Sequence, residues 1–273
     1  MINEEIAPQV DETPVQGTPV ISVITVVYNG IREIEQTIRS VISQAGILVE
    51  YIVVDGGSKD GTVDIIEKYK EKITNRISEP DKGIYDAMNK GIDLATGDWI
   101  IFMNAGDRFA SPDTLYHFTT KINEADIIYG DAVVEYPSFT TLFPKVPLDH
   151  MWKQMPFCHQ AAFVRTPVMK SYKFDLRYKL SSDFNFLYKA YLAQLKFQYI
   201  DHVICYFDFR SGASKKNAVL SFSERKQIVL SHNASLGRTL YYAWGEMYLH
   251  VSSFFKQIVG SKLSEWITKS LKK

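Results

Sequence analysis

Cysteine and long apolar runs are the scarcest features of this 273-residue chain. Only Cys158 and Cys205 occur, and neither belongs to a CxxC pair. Their scarcity argues against a zinc–thiolate site and against a disulfide framework. No apolar run approaches the roughly 20 residues that span a bilayer, and the first residues have neither a basic nor a long apolar segment. The sequence therefore predicts no transmembrane helix and no signal peptide.

An excess of charge of either sign is also missing. The chain has 31 Lys and Arg against 31 Asp and Glu, a formal net charge of zero, so bulk electrostatics does not indicate a nucleic-acid partner. No GxGxxG motif follows the first apolar segment, which excludes a dinucleotide dehydrogenase. Residues 1–19 hold acids and prolines but no basic residue and are predicted to be a disordered tail. These features together predict a cytoplasmic globular protein.

Apolar β-branched segments alternate with segments of helical periodicity through the first half of the chain. This alternation predicts an α/β fold with a mostly parallel sheet and helices on both faces. The predicted strands are 21–28, 49–55, 77–79, 99–104 and 125–129, and the predicted helices are 31–42, 62–69, 84–94 and 112–124. The elements predicted beyond them are an irregular loop at 135–160, a strand at 159–164, a helix at 183–193 and an extended run at 197–209.

Three of the apolar segments end abruptly in small and polar residues. Buried parallel strands have this appearance where their carboxyl ends open onto a ligand crevice. The residues at these ends include Asn29, Asp55 and Asp107. We therefore expect the three side chains to lie at one rim of the sheet.

The order and spacing of these segments resemble family 2 glycosyltransferases, which have the GT-A fold. The matching pieces are residues 22–29, 53–62, 79–91, 95–98 and 102–107. The Gly56-Gly57 pair and the run Asn104-Ala105-Gly106-Asp107 are most similar to the branch that builds bacterial colanic acid and related surface polysaccharides. The resemblance implies a GT-A domain at 20–215 and a helical extension at 216–273.

The resemblance also implies an activity. An inverting glycosyltransferase of this family would move a sugar from a nucleotide-sugar, UDP-linked in this interpretation, to a glycan or polyprenyl-linked acceptor. Two alternatives stay open. The family's acidic motifs are reduced at Gly56, Gly106 and Ser182, which would suit a sugar-binding or scaffold protein that has lost activity. A sugar nucleotidyltransferase is disfavoured, because no Gly-rich loop with Arg and Lys follows the first strand directly.

Asp55 is the central residue of the implied donor site. Its carboxylate could accept a hydrogen bond from a uracil N–H or from ribose hydroxyls, or it could simply cap the turn that follows. Most family members have a second acid at the position of Gly56. The full set of implied donor-binding residues is Thr25, Val27, Tyr28, Asn29, Asp55, Ser58, Asp81, Lys82, Gly83, Asn104, Ala105 and Gly106.

Asp107 matches the last acid of the family's metal-binding motif, which implies that it holds Mg²⁺ or Mn²⁺ against the donor diphosphate. The family's other acids at this place are Ala105 and Gly106 here. Because one carboxylate remains, the diphosphate itself is expected to complete the coordination shell. The alternative is an ordinary solvated aspartate of a loop.

Asp183 matches the acidic residue that opens the helix after the acceptor region in this family. The resemblance implies that it takes the proton of the acceptor hydroxyl, and the alternative is an ordinary helix N-cap. His159 and Gln160 match a pair that the family places near the diphosphate or the acceptor. Trp152 could form an apolar floor for a sugar ring, or it could close the loop onto the core.

Residues 251–273 show an amphipathic helical pattern with aromatic residues on one face and lysines beside the other. Such a helix suits an anionic membrane surface, which would place the protein peripherally at the inner face of the cell membrane. It could equally pack on the domain or form a homodimer contact.

Overall fold

The structure, a computed structural model, describes residues 19–209, 217–249 and 251. The chain divides into two compact units between residues 212 and 213. The predicted disordered tail lies almost entirely outside the described residues. So does the predicted amphipathic helix, apart from Val251.

The amino-terminal half of the first unit is a parallel sheet with the strand order β3-β2-β1-β4. Its strands are β1 (Ile21–Val27), β2 (Val49–Asp55), β3 (Asn75–Ser78) and β4 (Trp99–Phe102), connected by the helices α1 (Ile34–Ile42), α2 (Thr62–Lys68) and α3 (Ile84–Leu94). All seven residues of β1 are buried, as expected for an apolar strand covered on both faces. These elements confirm the predicted α/β fold.

The rest of the first unit continues the same sheet with strands of both directions. Its elements are β5 (Arg108–Phe109), α4 (Thr114–Thr119), β6 (Ile127–Glu135), β7 (Thr140–Leu142), β8 (Ala162–Arg165), α5 (Thr166–Tyr172), α6 (Ser182–Leu192) and β9 (Phe197–Asp208). Strand β8 runs antiparallel to both β4 and β6. The parallel run of strands therefore ends at β8.

Several elements differ from the sequence prediction. The segment 135–160 is not wholly irregular, because it contains β7 and a 3₁₀ turn at Leu148–His150. Residues His159–Ala161 form another 3₁₀ turn, and the strand begins only at Ala162. Helix α5 (Thr166–Tyr172) was not predicted.

The core of the first unit contains a stack of large aromatic rings. Phe118 of α4 lies flat against Phe163 of β8 with ring centroids 3.7 Å apart, and Trp99 of β4 meets Phe118 edge-on at 5.3 Å. All three side chains are fully buried. Cys158 and Cys205 are also buried in this core as free thiols. The pKa of Cys205 is raised well above its usual value, mainly by a hydrogen bond with Cys158 and secondly by burial.

The second unit contains helix α7 (Ala218–Asn233) and a helical stretch over residues 236–249. Phe222 of α7 lies against Tyr242, with ring centroids 5.3 Å apart. Among the helices that the structure describes, none combines the length and apolar character needed to cross a membrane.

Candidate functional site

The carboxyl ends of β1, β2 and β4 lie side by side, as the sequence predicted. The N–H of Gly56 donates to the carbonyl of Val27 over 2.9 Å, and the N–H of Ala105 donates to the carbonyl of Val26 over 3.1 Å. The segments that follow β2 and β4 therefore flank the end of β1 on its two sides. Two strand spacings, about 10 Å, separate them.

Asp55 is fully buried at the end of β2. Its Oδ2 atom accepts hydrogen bonds from the N–H groups of Gly57 and Ser58, at 3.1 and 3.0 Å, and from the hydroxyl of Ser78 at 2.7 Å. Its Oδ1 atom is buried and has no hydrogen-bond partner among the described residues. One oxygen thus caps the turn, while the other has no donor among the residues that the structure describes.

Asn29 holds the ends of β1 and β2 together. Its N–H donates to the hydroxyl of Ser58 over 2.7 Å, and its Oδ1 atom accepts from the N–H of Lys59 over 3.0 Å. Asn29 has φ 49°, in the left-handed region that asparagine tolerates. Beside it, the ring of Tyr28 is 66% exposed at the rim. The polar groups of Asn29 therefore brace the loops, whereas Tyr28 presents an aromatic surface to solvent.

The side chain of Asp81 lies against Gly56. A Cβ atom on Gly56 would lie 2.2 Å from Oδ2 of Asp81. The other oxygen, Oδ1, accepts from the N–H of Gly83 over 2.7 Å. Gly83 has φ 117°, and Lys82 is exposed. A larger residue at position 56 would therefore displace the carboxylate of Asp81.

The loop 104–107 is held by a threonine of α1. The hydroxyl of Thr37 donates to the carbonyl of Asp107 over 2.7 Å and accepts from the N–H of Gly106 over 2.9 Å. Gly106 has φ 104°, a conformation that disfavours other residue types. The side-chain oxygen of Asn104 is buried and lacks a partner in the described part of the chain.

Asp107 is almost fully buried, and its Oδ1 atom accepts from the N–H of Asp208 at the end of β9 over 2.9 Å. Burial raises the pKa of Asp107 to about 7. Within this net rise of the pKa, the hydrogen bond from the N–H of Asp208 and the charge of His159 act to lower it, and the carboxylate charge of Asp208 acts to raise it. A negative charge on Asp107 is therefore poorly compensated by the residues that the structure describes.

Asp183 lies in the first turn of α6, and the N-cap position belongs to Ser181. The hydroxyl of Tyr85 donates to its Oδ1 atom over 2.7 Å. The Nδ1 atom of His159 lies 3.2 Å from its Oδ2 atom. Burial would raise the pKa of Asp183, but the hydrogen bond and the charge of His159 outweigh it and hold this pKa below its usual value.

His159 contacts the carboxylate of Asp183 and is also influenced by the charge of Asp107. Burial acts to lower its pKa, but the hydrogen bond and charge of Asp183, with the charge of Asp107, raise it overall. Its Nε2 atom is buried and has no partner among residues that the structure describes. Nε2 therefore keeps an unused hydrogen-bonding capacity while Nδ1 contacts Asp183.

Three residues of the predicted site make contacts with other parts of the protein instead of lining the rim. Thr25 is fully buried within β1, where its hydroxyl donates to the carbonyl of Met103 over 2.7 Å. Gln160 is buried and accepts from the thiol of Cys158 over 2.9 Å. Trp152 is half-buried, with the ammonium of Lys153 5.0 Å from its ring centroid.

Sequence reasoning missed several residues of the site. The pattern of α3 favours a core role for Tyr85, and its ring is indeed buried, yet its hydroxyl reaches Asp183. Thr37, Ser78 and Asp208 carry no local motif. Only a three-dimensional arrangement shows that they contact the predicted residues.

A metal ion would need help from a ligand here. Within the described ranges, no three His, Cys, Asp or Glu side chains come close enough together to hold an ion by themselves. Asp107 and the unpartnered oxygen of Asn104 are nevertheless hard oxygen donors of the kind that Mg²⁺ and Mn²⁺ prefer. The donor set fits an ion whose remaining ligands come from a diphosphate.

Comparison with known sequences finds a matching family profile and several similar glycosyltransferases. The sequence profile described as "Glycosyl transferase family 2" matches residues 22–181. The "PGL/p-HBAD biosynthesis glycosyltransferase" of Mycobacterium bovis is 32% identical over 177 residues, covering 62% of this chain and 69% of that protein. The "putative teichuronic acid biosynthesis glycosyltransferase TuaG" of Bacillus subtilis is 40% identical over 95 residues, covering 33% of this chain and 37% of its own.

Solved structures share the fold. S. aureus TarS 1-349 in complex with UDP-GlcNAc superposes with a TM-score of 0.64 at 20% identity, covering 88% of this chain and 76% of that one. The mannosyltransferase PcManGT from Pyrobaculum calidifontis, in complex with GDP-Man and Mn²⁺, superposes with a TM-score of 0.64 at 16% identity, covering 97% and 83%. The likeness to both supports the GT-A architecture.

Proposed function

This chain belongs to glycosyl transferase family 2, and we propose that it transfers a sugar from a UDP-linked donor, with inversion, to a glycan or polyprenyl-linked acceptor of a surface polysaccharide. The proposed catalytic domain is 20–215, with 216–273 as its helical extension. Glycosyltransferase activity follows from the family. The donor, the acceptor and the stereochemistry are the proposal.

One observation carries the proposal. Among the buried polar atoms that lack partners in the described structure, three belong to residues assigned to the donor and its diphosphate: Oδ1 of Asp55, Oδ1 of Asn104 and Nε2 of His159. Buried polar atoms normally have partners, because leaving one unsatisfied costs about 1–3 kcal/mol. A bound nucleotide-sugar would offer partners to all three.

We assign the binding site of the donor's nucleobase to the end of β2. Oδ1 of Asp55 can accept from the N–H of a uracil ring or from a ribose hydroxyl. The exposed ring of Tyr28 offers an aromatic face on which a base can stack. Asp81 and the backbone of Gly83, which allows close approach, line the same side of the rim.

The diphosphate is assigned to the loop after β4. Asp107 and Asn104 would hold Mg²⁺ or Mn²⁺ there, with Asp208 beside them. When bound, the ion would neutralise charge that develops on the leaving diphosphate. Thr37 fixes the loop through two hydrogen bonds, so this geometry is set before a donor arrives. Protonated His159 would donate from Nε2 to a diphosphate oxygen.

Transfer is assigned to Asp183. The acceptor hydroxyl attacks the anomeric carbon and its proton passes to the carboxylate of Asp183. A new carbon–oxygen bond forms, and the bond from the anomeric carbon to the diphosphate breaks. Direct displacement from the opposite face inverts the anomeric carbon. Binding both substrates in line lowers the entropic part of the barrier.

The acceptor and its location are proposed from the relatives. Two are named for teichuronic acid biosynthesis and PGL/p-HBAD biosynthesis, which supports an acceptor that is a growing glycan or a lipid-linked one. We place the reaction at the inner face of the cell membrane, where a polyprenyl-linked acceptor would be presented.

The test is a donor panel. The full chain is incubated with UDP-, GDP- and dTDP-sugars, with and without Mn²⁺, and a membrane lipid extract, and products are identified by mass spectrometry. A sugar added to a lipid or glycan from a UDP donor is expected. Binding without transfer or hydrolysis of any donor would favour the sugar-binding alternative. Transfer from a GDP donor alone would support sugar transfer but contradict uracil as the nucleobase of the donor.

A further inference from the structure

The helical stretch 236–249 has two different faces. One face packs on α7: the ring of buried Tyr242 lies 5.3 Å from that of Phe222, and Glu246 forms a 2.7 Å ion pair with Lys226. These contacts fix how the stretch is rotated against α7. The side chains on its opposite side are consequently turned outward.

The outward face is apolar and aromatic. At 3.6 residues per turn, its large side chains fall within roughly 120° of the helix circumference. Leu236 is 77% exposed, Trp244 67% and Tyr248 71%. The members of this exposed face are Leu236, Leu240, Trp244, Met247, Tyr248 and Val251. A continuous apolar surface of this kind marks an interaction site more often than a random surface.

Charge is distributed very unevenly between the two units. Residues 213–273 contain ten Lys and Arg and three Glu, a formal charge of +7. Because the whole chain is neutral, residues 1–212 carry −7. The unit that presents the exposed face is therefore the one attracted to an anionic surface, and the catalytic unit is repelled from it.

We propose that the exposed face of 236–251 docks on an anionic membrane. Tryptophan and tyrosine prefer the interfacial zone of a bilayer, and an apolar helix face enters the boundary between headgroups and acyl chains. The basic excess supplies attraction to acidic lipids. A second copy of this chain is the less favourable occupant, since it would bring together two units of charge +7.

This inference depends on the surface and charge of the second unit, and it stands whether or not the proposed transfer reaction is correct. The residues involved belong to none of the assigned donor, metal or base positions. Docking through this face would hold the protein at the surface where the proposed lipid-linked acceptor is presented.

Flotation of the full chain with vesicles tests the proposal. Vesicles of phosphatidylcholine alone are compared with vesicles that also contain phosphatidylglycerol. Binding to the anionic vesicles is expected, with partial loss at high salt, because salt screens the charges but not apolar burial. Trp244→Glu and Tyr248→Glu should each weaken partitioning by at least about tenfold. Tyr116→Glu, at an exposed tyrosine of α4, is the matched control and should bind like the wild type.

Circular dichroism confirms folding, and transfer to a water-soluble acceptor should be unchanged in both face variants. The proposal is overturned if the wild type does not bind anionic vesicles at low salt, or if both folded face variants bind as well as the control. It is also overturned if sedimentation shows a wild-type dimer that Trp244→Glu dissociates, because the face would then join two copies.

Discussion

The Nδ1 atom of His159 lies 3.2 Å from the Oδ2 atom of Asp183, so the proposed base is held by an imidazole. The hydroxyl of Tyr85 occupies the other carboxylate oxygen. Both oxygens are therefore engaged before an acceptor arrives. An incoming hydroxyl must share or replace one of these contacts to deliver its proton.

Replacing Asp183 with asparagine tests the role of the base. Asp183→Asn keeps the shape of the side chain but removes its basicity. We expect the turnover rate to fall by at least ~10²-fold, the usual scale for loss of a general base, while UDP binding measured by calorimetry stays near the wild-type value. A nearly normal rate would reduce Asp183 to a structural member of α6.

Replacing His159 with glutamine tests how the basicity of Asp183 is set. Because His159 holds the pKa of Asp183 down, His159→Gln should raise that pKa and move the acid limb of the pH–rate profile to higher pH. We expect turnover to fall about tenfold. Tyr85→Phe is the comparison, since it removes a weaker influence on the same carboxylate and should shift the limb less. An acid limb that does not move in His159→Gln would contradict the assignment.

The pKa of Asp107 predicts a dependence of stability on pH. Because folding raises this pKa from 3.8 to about 7, folding favours the protonated carboxyl group. The resulting stability is complete below about pH 4 and is lost as pH rises through about 7. In EDTA, thermal unfolding should therefore show Asp107→Asn gaining stability relative to the wild type between pH 5 and 8, by roughly 1–4 kcal/mol.

Adding Mn²⁺ tests whether Asp107 binds a metal ion. Added at pH 8 with UDP, the ion should raise the unfolding temperature of the wild type, because a ligand bound only to the folded state stabilises it. Asp107→Asn should gain much less from the ion. Equal gains in both proteins would remove Asp107 from the metal site.

The contact between Gly56 and Asp81 predicts a non-additive pair of substitutions. Gly56→Ala would place Cβ 2.2 Å from the carboxylate of Asp81 and force that side chain to move. We expect donor affinity to fall about tenfold, or ~1.4 kcal/mol. In an Asp81→Ala background the same substitution should cost little, since the obstacle is gone. Two fully additive losses in calorimetry would show that Asp81 does not occupy this space when donor binds.

Strands β1, β2 and β4 could be predicted from the sequence, because each is a short apolar run bounded by turn residues. Strand β3 was predicted at 77–79 but lies at Asn75–Ser78, where Ile77 is the single apolar residue. The reversal at β8 could not be predicted, since a strand of four residues after a 3₁₀ turn carries no directional signal. At the rim, Asp55 was identifiable from its position at a strand end. Its divided role, with one oxygen capping and one unpartnered, is visible only in three dimensions.

Contacts between distant residues account for most of what sequence reasoning left out. Tyr85 and Asp183 are 98 positions apart, and Asp107 and Asp208 are 101 apart. No local pattern encodes such pairs. Likewise, the close approach of Asp81 to Gly56 joins residues 25 positions apart and is visible only in three dimensions.

The burial of both native thiols makes the chain suitable for site-specific labelling. Cys158 and Cys205 are enclosed in the core, and the pKa of Cys205 is raised well above its usual value, so thiolate-directed reagents should react with them slowly. A cysteine introduced at an exposed position, such as Tyr116 in the first unit or Ser223 in the second, would then be the fast-reacting thiol, with neither native cysteine replaced. Fluorophores or spin labels placed in this way could measure the distance between the two units in solution, with and without vesicles.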